Sequence, residues 1–202
     1  MVSDRHRNKV ELGWLTKEYS EGKKRMNTHE LLSRYAAKEL DFSEVSLHQA
    51  SLKGANLTRI NLTRADLSDT DLSGADLSGA CLQQANLTDA ELNSSNLVGA
   101  NLVEVNLIGA ELIEADLSSA DLSGADLRCA NLHKANLSGA NLTDVDLNGA
   151  DLSGANLTNA KLAGTDLSVA DLVGANMKGC NLNKGERKKA GTSHHWVTWT
   201  GR

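Results

Sequence analysis

From residue 42 to residue 182 an apolar side chain returns at every fifth position without one insertion, giving 29 units. Twenty-seven of these positions are Leu, and Phe42 and Met177 are the others. The stretch ADLSGACLQQANLTDAEL, residues 75–92, shows the pattern: Leu at 77, 82, 87 and 92. With the apolar position called i, position i−2 is Ala in 20 units, with Val45, Ile60, Thr70, Val105 and Cys180 among the rest. Position i−1 is mostly Asn or Asp, i+1 is often Ser or Thr, and i+2 is Gly in 12 units.

A period of five belongs to no regular element. On an α-helix five residues advance about 500°, so successive leucines would lie about 140° apart and form no stripe. On a straight strand an odd step alternates the two faces. The leucines share one interior only if the backbone bends once per unit. Gly at i+2, with Asn, Asp and Ser nearby, is turn chemistry, because Gly accepts positive φ without penalty. The chain is therefore expected to coil and stack on itself as a β-solenoid. Four bends per coil need 20 residues and three need 15. Grouped by a 20-residue coil, two faces hold 8 glycines in 14 turns and the other two hold 4 in 15; a 15-residue coil spreads them 5, 3 and 4. The asymmetry favours four faces. Leucines 20 apart, such as Leu77, Leu97 and Leu117, should then stack.

The units ANLTRINLTRADLSDTDLSGADL, residues 55–77, resemble the pentapeptide-repeat family, whose pattern is A(D/N)LXX. The resemblance covers residues 40–184 and implies an all-β solenoid, a right-handed quadrilateral β-helix of about seven coils with an N-terminal α-helical cap. At about 4.8 Å per coil the rod would be about 35 Å long. The preceding segment LLSRYAAKELDFSEVSL is similar to the N-terminal lead-in of cyanobacterial members.

A solenoid needs capped ends. NTHELLSRYAAKEL predicts a helix over 27–39, with Asn27 or Thr28 as N-cap and Glu30 in the first turn. It should sit over the first coil, with Tyr35 and Phe42 closing the opening. Residues 1–26 read as a basic tail, helical in part around KVELGWLTKEY and loose at EGKKRM. Residues 185–202 read as a basic tail without helical period, and their Trp196 and Trp199 suit a cap, a dimer contact or a disordered tail.

Composition narrows the function. Six aromatics and no proline exclude an ordinary aromatic-rich core. The net charge of −5 divides into a body of −11 over residues 40–184 and ends of +3 each. No run approaches the ~18 apolar residues of a membrane span, the N-terminus lacks a secretory apolar region, and three scattered cysteines suit a reducing compartment. A cytoplasmic location is expected.

Outward positions would carry any chemistry. Serines recur in DLSGA as turn residues, and His48 and His133 fall on different faces, so neither makes a triad. Cys81 should point outward, Cys129 should lie at a turn and Cys180 should point inward; they share no metal spacing. His194 and His195 are neighbours in the tail, and glycines fall at turns rather than in a phosphate loop. No enzyme, cofactor, metal site or small-molecule substrate is expected. Two surface features exceed the pattern. One is acidic: Asp71, Glu91, Glu111, Asp151 and Asp171 form a column, with Asp66, Asp126, Asp146 and Asp166 on the neighbouring face, an arrangement that suits either solubility or a partner. The other is an apolar belt at i+1, formed by Val98, Val103, Ile108 and Ile113 in four consecutive units, which suits either local β-propensity or a contact surface for a partner or a second copy. The expected role is a non-enzymatic protein-binding or scaffolding module. Its partner would be another protein, with no direct DNA binding by the acidic body and a homodimer through the ends as the alternative assembly. The family resemblance adds a second reading, because some members imitate duplex DNA and occupy the DNA site of gyrase. This chain differs from them in lacking projecting loops and a recognisable C-terminal dimer helix.

Overall fold

The computed structural model describes residues 23–181; both basic tails beyond these limits, with Trp196 and Trp199, lie outside the described residues. Within them the chain winds as a four-sided β-helix. Parallel backbone bridges join residues 20 apart, from Asp41↔Asn61 to Lys161↔Asn181, and they fix the coil at 20 residues and four units.

One unit shows how five residues make a side. Leu77 N–H donates to Asn96 O at 2.7 Å, Gly79 N–H to Val98 O at 2.9 Å, and Asn96 N–H returns to Ala75 O at 2.9 Å. A turn closes with Ala80 N–H on Leu77 O at 2.9 Å. The backbone groups are thus satisfied by the next coil, as a buried backbone requires. The i−1 side chain sets the turn: Asp76 Oδ1 accepts from Ser78 N–H at 3.0 Å, and Asn101 Oδ1 from Val103 N–H at 3.1 Å. This Asx turn explains the preference for Asn and Asp. Position i+2 bends left-handed. Every such residue from Glu44 to Gly179 has positive φ except Val169.

Leu at i and the small residue at i−2 form the core, with Leu77, Leu117, Ala75 and Ala115 all fully buried. Each buried Leu contributes about 1.5–3 kcal/mol before the entropy of ordering is set against it. Ala at i−2 lets the walls close around the four stacked columns of leucines.

The N-terminal end is capped by strand β1 (Lys24–Arg25) and helix α1 (Thr28–Ala36). Asn27 caps α1 by accepting from Glu30 N–H at 2.9 Å. The first coil would otherwise present free carbonyls. Met26 N–H takes Ser46 O at 2.9 Å, Thr28 Oγ1 takes Ser51 O at 3.2 Å, and the Tyr35 hydroxyl takes Thr58 O at 2.9 Å. Phe42 is buried beneath Arg34, whose guanidinium lies 5.3 Å from the ring centre and is held by Glu30 and Glu39. The segment EGKKRM, expected to be loose, is not so over its described part. Lys24–Arg25 pairs in parallel with β2 (Val45–Ser46) and starts the ladder one coil early, because the edge of the first coil needs a partner.

Candidate interaction surface

The four i−1 ladders differ in one respect. On two sides every Asp bridges to Asn alone. Asn61 Nδ2 donates to Asp41 at 2.9 Å, Asn141 to Asp121 at 2.9 Å, Asn96 to Asp76 at 3.1 Å and Asn136 to Asp116 at 3.0 Å. An amide donor beside each of these carboxylates keeps a second carboxylate from bridging to it. The side Ser51–Asp71–Glu91–Glu111–Asn131–Asp151–Asp171 lacks this arrangement. There Asp71, Glu91 and Glu111 bridge directly to one another, as do Asp151 and Asp171, and only Asn131 intervenes, donating to Glu111 at 2.9 Å. Asp69 and Asp89 stand at the adjoining corner, where both have left-handed backbone. Asp71 keeps a lowered pKa through hydrogen bonds from Ser73, with Lys53 a smaller contribution, so its charge persists.

The neighbouring side separates from this picture. Asp66, expected on the surface, is buried: β1 covers the start of its ladder, and its carboxylate accepts from Ser68, Asn86 and Ser46. Lys23, partly buried and with its pKa lowered first by desolvation, is pulled the other way by Asp66 and Glu44. Asp126 is clamped by Arg128 at 2.7 Å, and Arg128 Nε also lies 3.7 Å from Asp146. Burial opposes ionisation of Asp126, but hydrogen bonds and charge from Arg128 win and lower its pKa. Asp166 caps a 3-10 turn by accepting from Ser168 N–H at 3.0 Å. These four carboxylates serve the fold locally. The other five form the acidic column.

Val98, Val103, Ile108 and Ile113 lie in one coil, each at a different corner, with Val98 exposed and the other three half-buried. They ring the rod and do not make one patch.

Each rod histidine meets a serine one coil on: His48 Nδ1 lies 2.9 Å from Ser68 Oγ, and His133 Nδ1 lies 2.7 Å from Ser153 Oγ. The sequence reading missed both contacts, although a spacing of 20 between His and Ser at i+1 signals them. Ser68 gives its proton to Asp66 at 2.7 Å, so His48 Nδ1 faces it as a donor and does not activate it. Beside Ser153 the backbone donors are already taken. Ser153 N–H goes to Asp151 Oδ1 at 2.8 Å and Gly154 N–H to Val173 O at 2.8 Å, leaving neither to hold an oxyanion. Cys81 and Cys129 are exposed; Cys180 is buried, its Sγ 2.9 Å from Leu157 O and its pKa raised by desolvation. Among the described residues no group of His, Cys, Asp and Glu could hold a metal ion.

The pentapeptide-repeat model, "Pentapeptide repeats", matches in 8 copies over residues 41–79, 70–109, 80–118, 115–154 and 150–184. The chain belongs to the pentapeptide-repeat family. Its coil is accordingly the right-handed quadrilateral β-helix. This pentapeptide-repeat protein is similar to HetL of the cyanobacterium Nostoc sp. strain PCC 7120, a protein involved in heterocyst differentiation regulation. The two are 32% identical over 78% of this chain and 95% of that one, with a TM-score of 0.32. It is also similar to a pentapeptide-repeat protein of the Arabidopsis thaliana thylakoid lumen, at 31% identity over 65% of this chain and 82% of that one, TM-score 0.39. A third solved structure, the plasmid-mediated fluoroquinolone resistance protein QnrB1, aligns at 18% identity over 76% and 88%, TM-score 0.48. Comparison with curated protein sequences returns no match. Among the described residues no helix is long and apolar enough to cross a membrane.

Proposed function

We propose that the protein is a non-enzymatic binding module whose contact surface is the carboxylate column Asp71–Glu91–Glu111–Asp151–Asp171 with its corner residues Asp69 and Asp89. The partner is a protein with a basic groove. The observation that carries this reading is the directly bridged run of three carboxylates, Asp71–Glu91–Glu111, whereas the bridged pair Asp126–Asp146 on the neighbouring side shares Arg128. Unit charges about 5 Å apart repel by about 0.8 kcal/mol in water, less with salt. The column therefore opposes folding slightly, and a cationic partner relieves it on contact. Complementary charge of this kind gives rate and orientation more than raw affinity.

A basic groove that normally holds duplex DNA is the narrower form of the reading. The rows of carboxylates favour it; their density does not, since coils about 4.8 Å apart carry charge more sparsely than duplex DNA, with one charge per about 1.7 Å. Titrating the protein into a DNA gyrase supercoiling reaction tests it. Inhibition at micromolar concentration, abolished by Glu91→Gln with Glu111→Gln, supports DNA mimicry, and a flat titration removes that form. Affinity capture then tests the wider reading against a contact made by the belt. A partner lost by the Glu91/Glu111 variant and kept by the Val98/Val103/Ile108/Ile113→Ser variant supports the acidic column. The reverse pattern transfers the contact to the belt. Homodimerisation through the ends is checked by sedimentation of the full chain.

A further inference from the structure

The rod breaks its own rule at one place. Position i+2 is left-handed in every turn from Glu44 to Gly179 except at Val169, which lies in a 3-10 turn, Leu167–Val169. Val is the only β-branched residue at i+2 within this range. Two branches on Cβ make positive φ a true outlier, so the backbone takes another route. Asp166 forms no bridge with Asp146 among the described residues, whereas Asp126↔Asp146 and Asp151↔Asp171 are regular. Gly149 N–H, whose place in the repeat is on residue 168, shifts to Val169 O at 2.9 Å. A second residue acts on the same side. Thr165, at i−2 where Ala prevails, inserts its hydroxyl into the turn of the coil before, accepting from Val145 N–H at 3.1 Å and donating to Leu142 O. Thr70 shows the contrast: its hydroxyl also reaches the carbonyl of Leu47, at 3.0 Å, yet the turn bond Ala50 N–H to Leu47 O stays at 2.9 Å. Val169 is 41% exposed, and Leu167 and Val145 are each 4% exposed where the mid-rod leucines are at 0–1%.

We infer that the junction between residues 142–150 and 162–170 is a seam at which the last described coil opens locally while the rest of the rod stays closed. The cause is a β-branched side chain at a corner that is left-handed in the other turns, together with a hydroxyl wedged into the turn beneath it. Opening there uncovers a parallel strand edge on the side that also carries Asp146, within the range of local unfolding that proteins show between fraying ends and global unfolding.

Amide hydrogen exchange of the full-length protein, read by mass spectrometry, tests the seam. Peptides covering 142–150 and 162–170 are expected to exchange at least about tenfold faster than the equivalent 102–110 peptide. Val169→Gly with Thr165→Ala restores the repeat's own residues and is expected to remove most of that difference. Val169→Gly alone, which keeps the wedge, is expected to remove part. Simple fraying from the C-terminal end would leave the difference untouched in both variants, and that result overturns the inference, as does equal exchange in the wild type. In the opposite direction, Gly109→Val is expected to create a fast-exchanging seam at 105–110 in the middle of the rod; unchanged protection there also overturns it.

Discussion

Replacing Leu112 with Ala removes the core side chain of a mid-rod unit. Leu112 is fully buried, between Leu92 and Leu132 in the same stacked column, and both are 0–1% exposed. The backbone around it is held by Leu112 N–H to Asn131 O at 2.7 Å and by Ala115 N–H to Leu112 O at 3.1 Å. These bonds fix the spacing of the walls, and the Ala residues at i−2 have no further atoms to move into the gap. A site that cannot collapse falls in the upper part of the range for Leu→Ala, about 3–5 kcal/mol. For a chain of this size each kcal/mol is about 2–4 °C, so the melting temperature should fall by roughly 6–20 °C. Urea unfolding followed by far-UV circular dichroism measures the loss, with Ser118→Ala, on the outside of the same rod, expected within about 0.5 kcal/mol of wild type. A loss for Leu112→Ala below about 1 kcal/mol at unchanged m-value would refute a rigid, filled interior.

Four smaller tests follow from individual contacts. Ser95 Oγ is buried without a hydrogen-bond partner among the described residues, in a column that is otherwise Ala, so Ser95→Ala should stabilise by about 1 kcal/mol in the same unfolding assay. Tyr35→Phe strips the donor from Thr58 O at the capped edge and should cost about 1 kcal/mol, seen as a lower urea midpoint. Desolvation raises the Asp121 pKa, but hydrogen bonds from Ser123 and Asn141 outweigh it and leave the pKa lowered. Its folded pKa lies below its unfolded value of about 3.9, so its contribution is present above that value and is lost as pH falls through the folded pKa. Asp121→Asn, which keeps the Oδ1 acceptor but not the charge, should flatten the stability profile below about pH 4 in an acid titration and lower stability at pH 7, where the contribution of the charged group is fully present. Glu91→Gln should raise stability in low salt by up to about 1 kcal/mol and have no effect in 1 M salt, since it removes a carboxylate stacked on two others.

The sequence by itself determined the quintet. Leu at i, a small residue at i−2, Asx at i−1 and a left-handed i+2 are all local requirements of one bend, and each can be read from a single unit. The helix over Thr28–Ala36 was legible for the same reason, since its cap and its buried Leu31 are local signals. The acidic column was visible as a list of residues. Its distinction from the other sides was not, because it depends on what stands 20 residues away: Asn beside Asp41, Asp76, Asp116 and Asp121, but Glu91 beside Asp71 and Glu111. Closure after four bends decided those neighbours, and only a slight glycine bias pointed to it. The tertiary structure alone decided that β1 buries Asp66, that His133 meets Ser153, and that Val169 forces the chain off its course beside Thr165. These are contacts between coils. A coil's backbone bonds mostly to its neighbours, so what each outward residue meets is fixed by stacking and not by the unit that carries it.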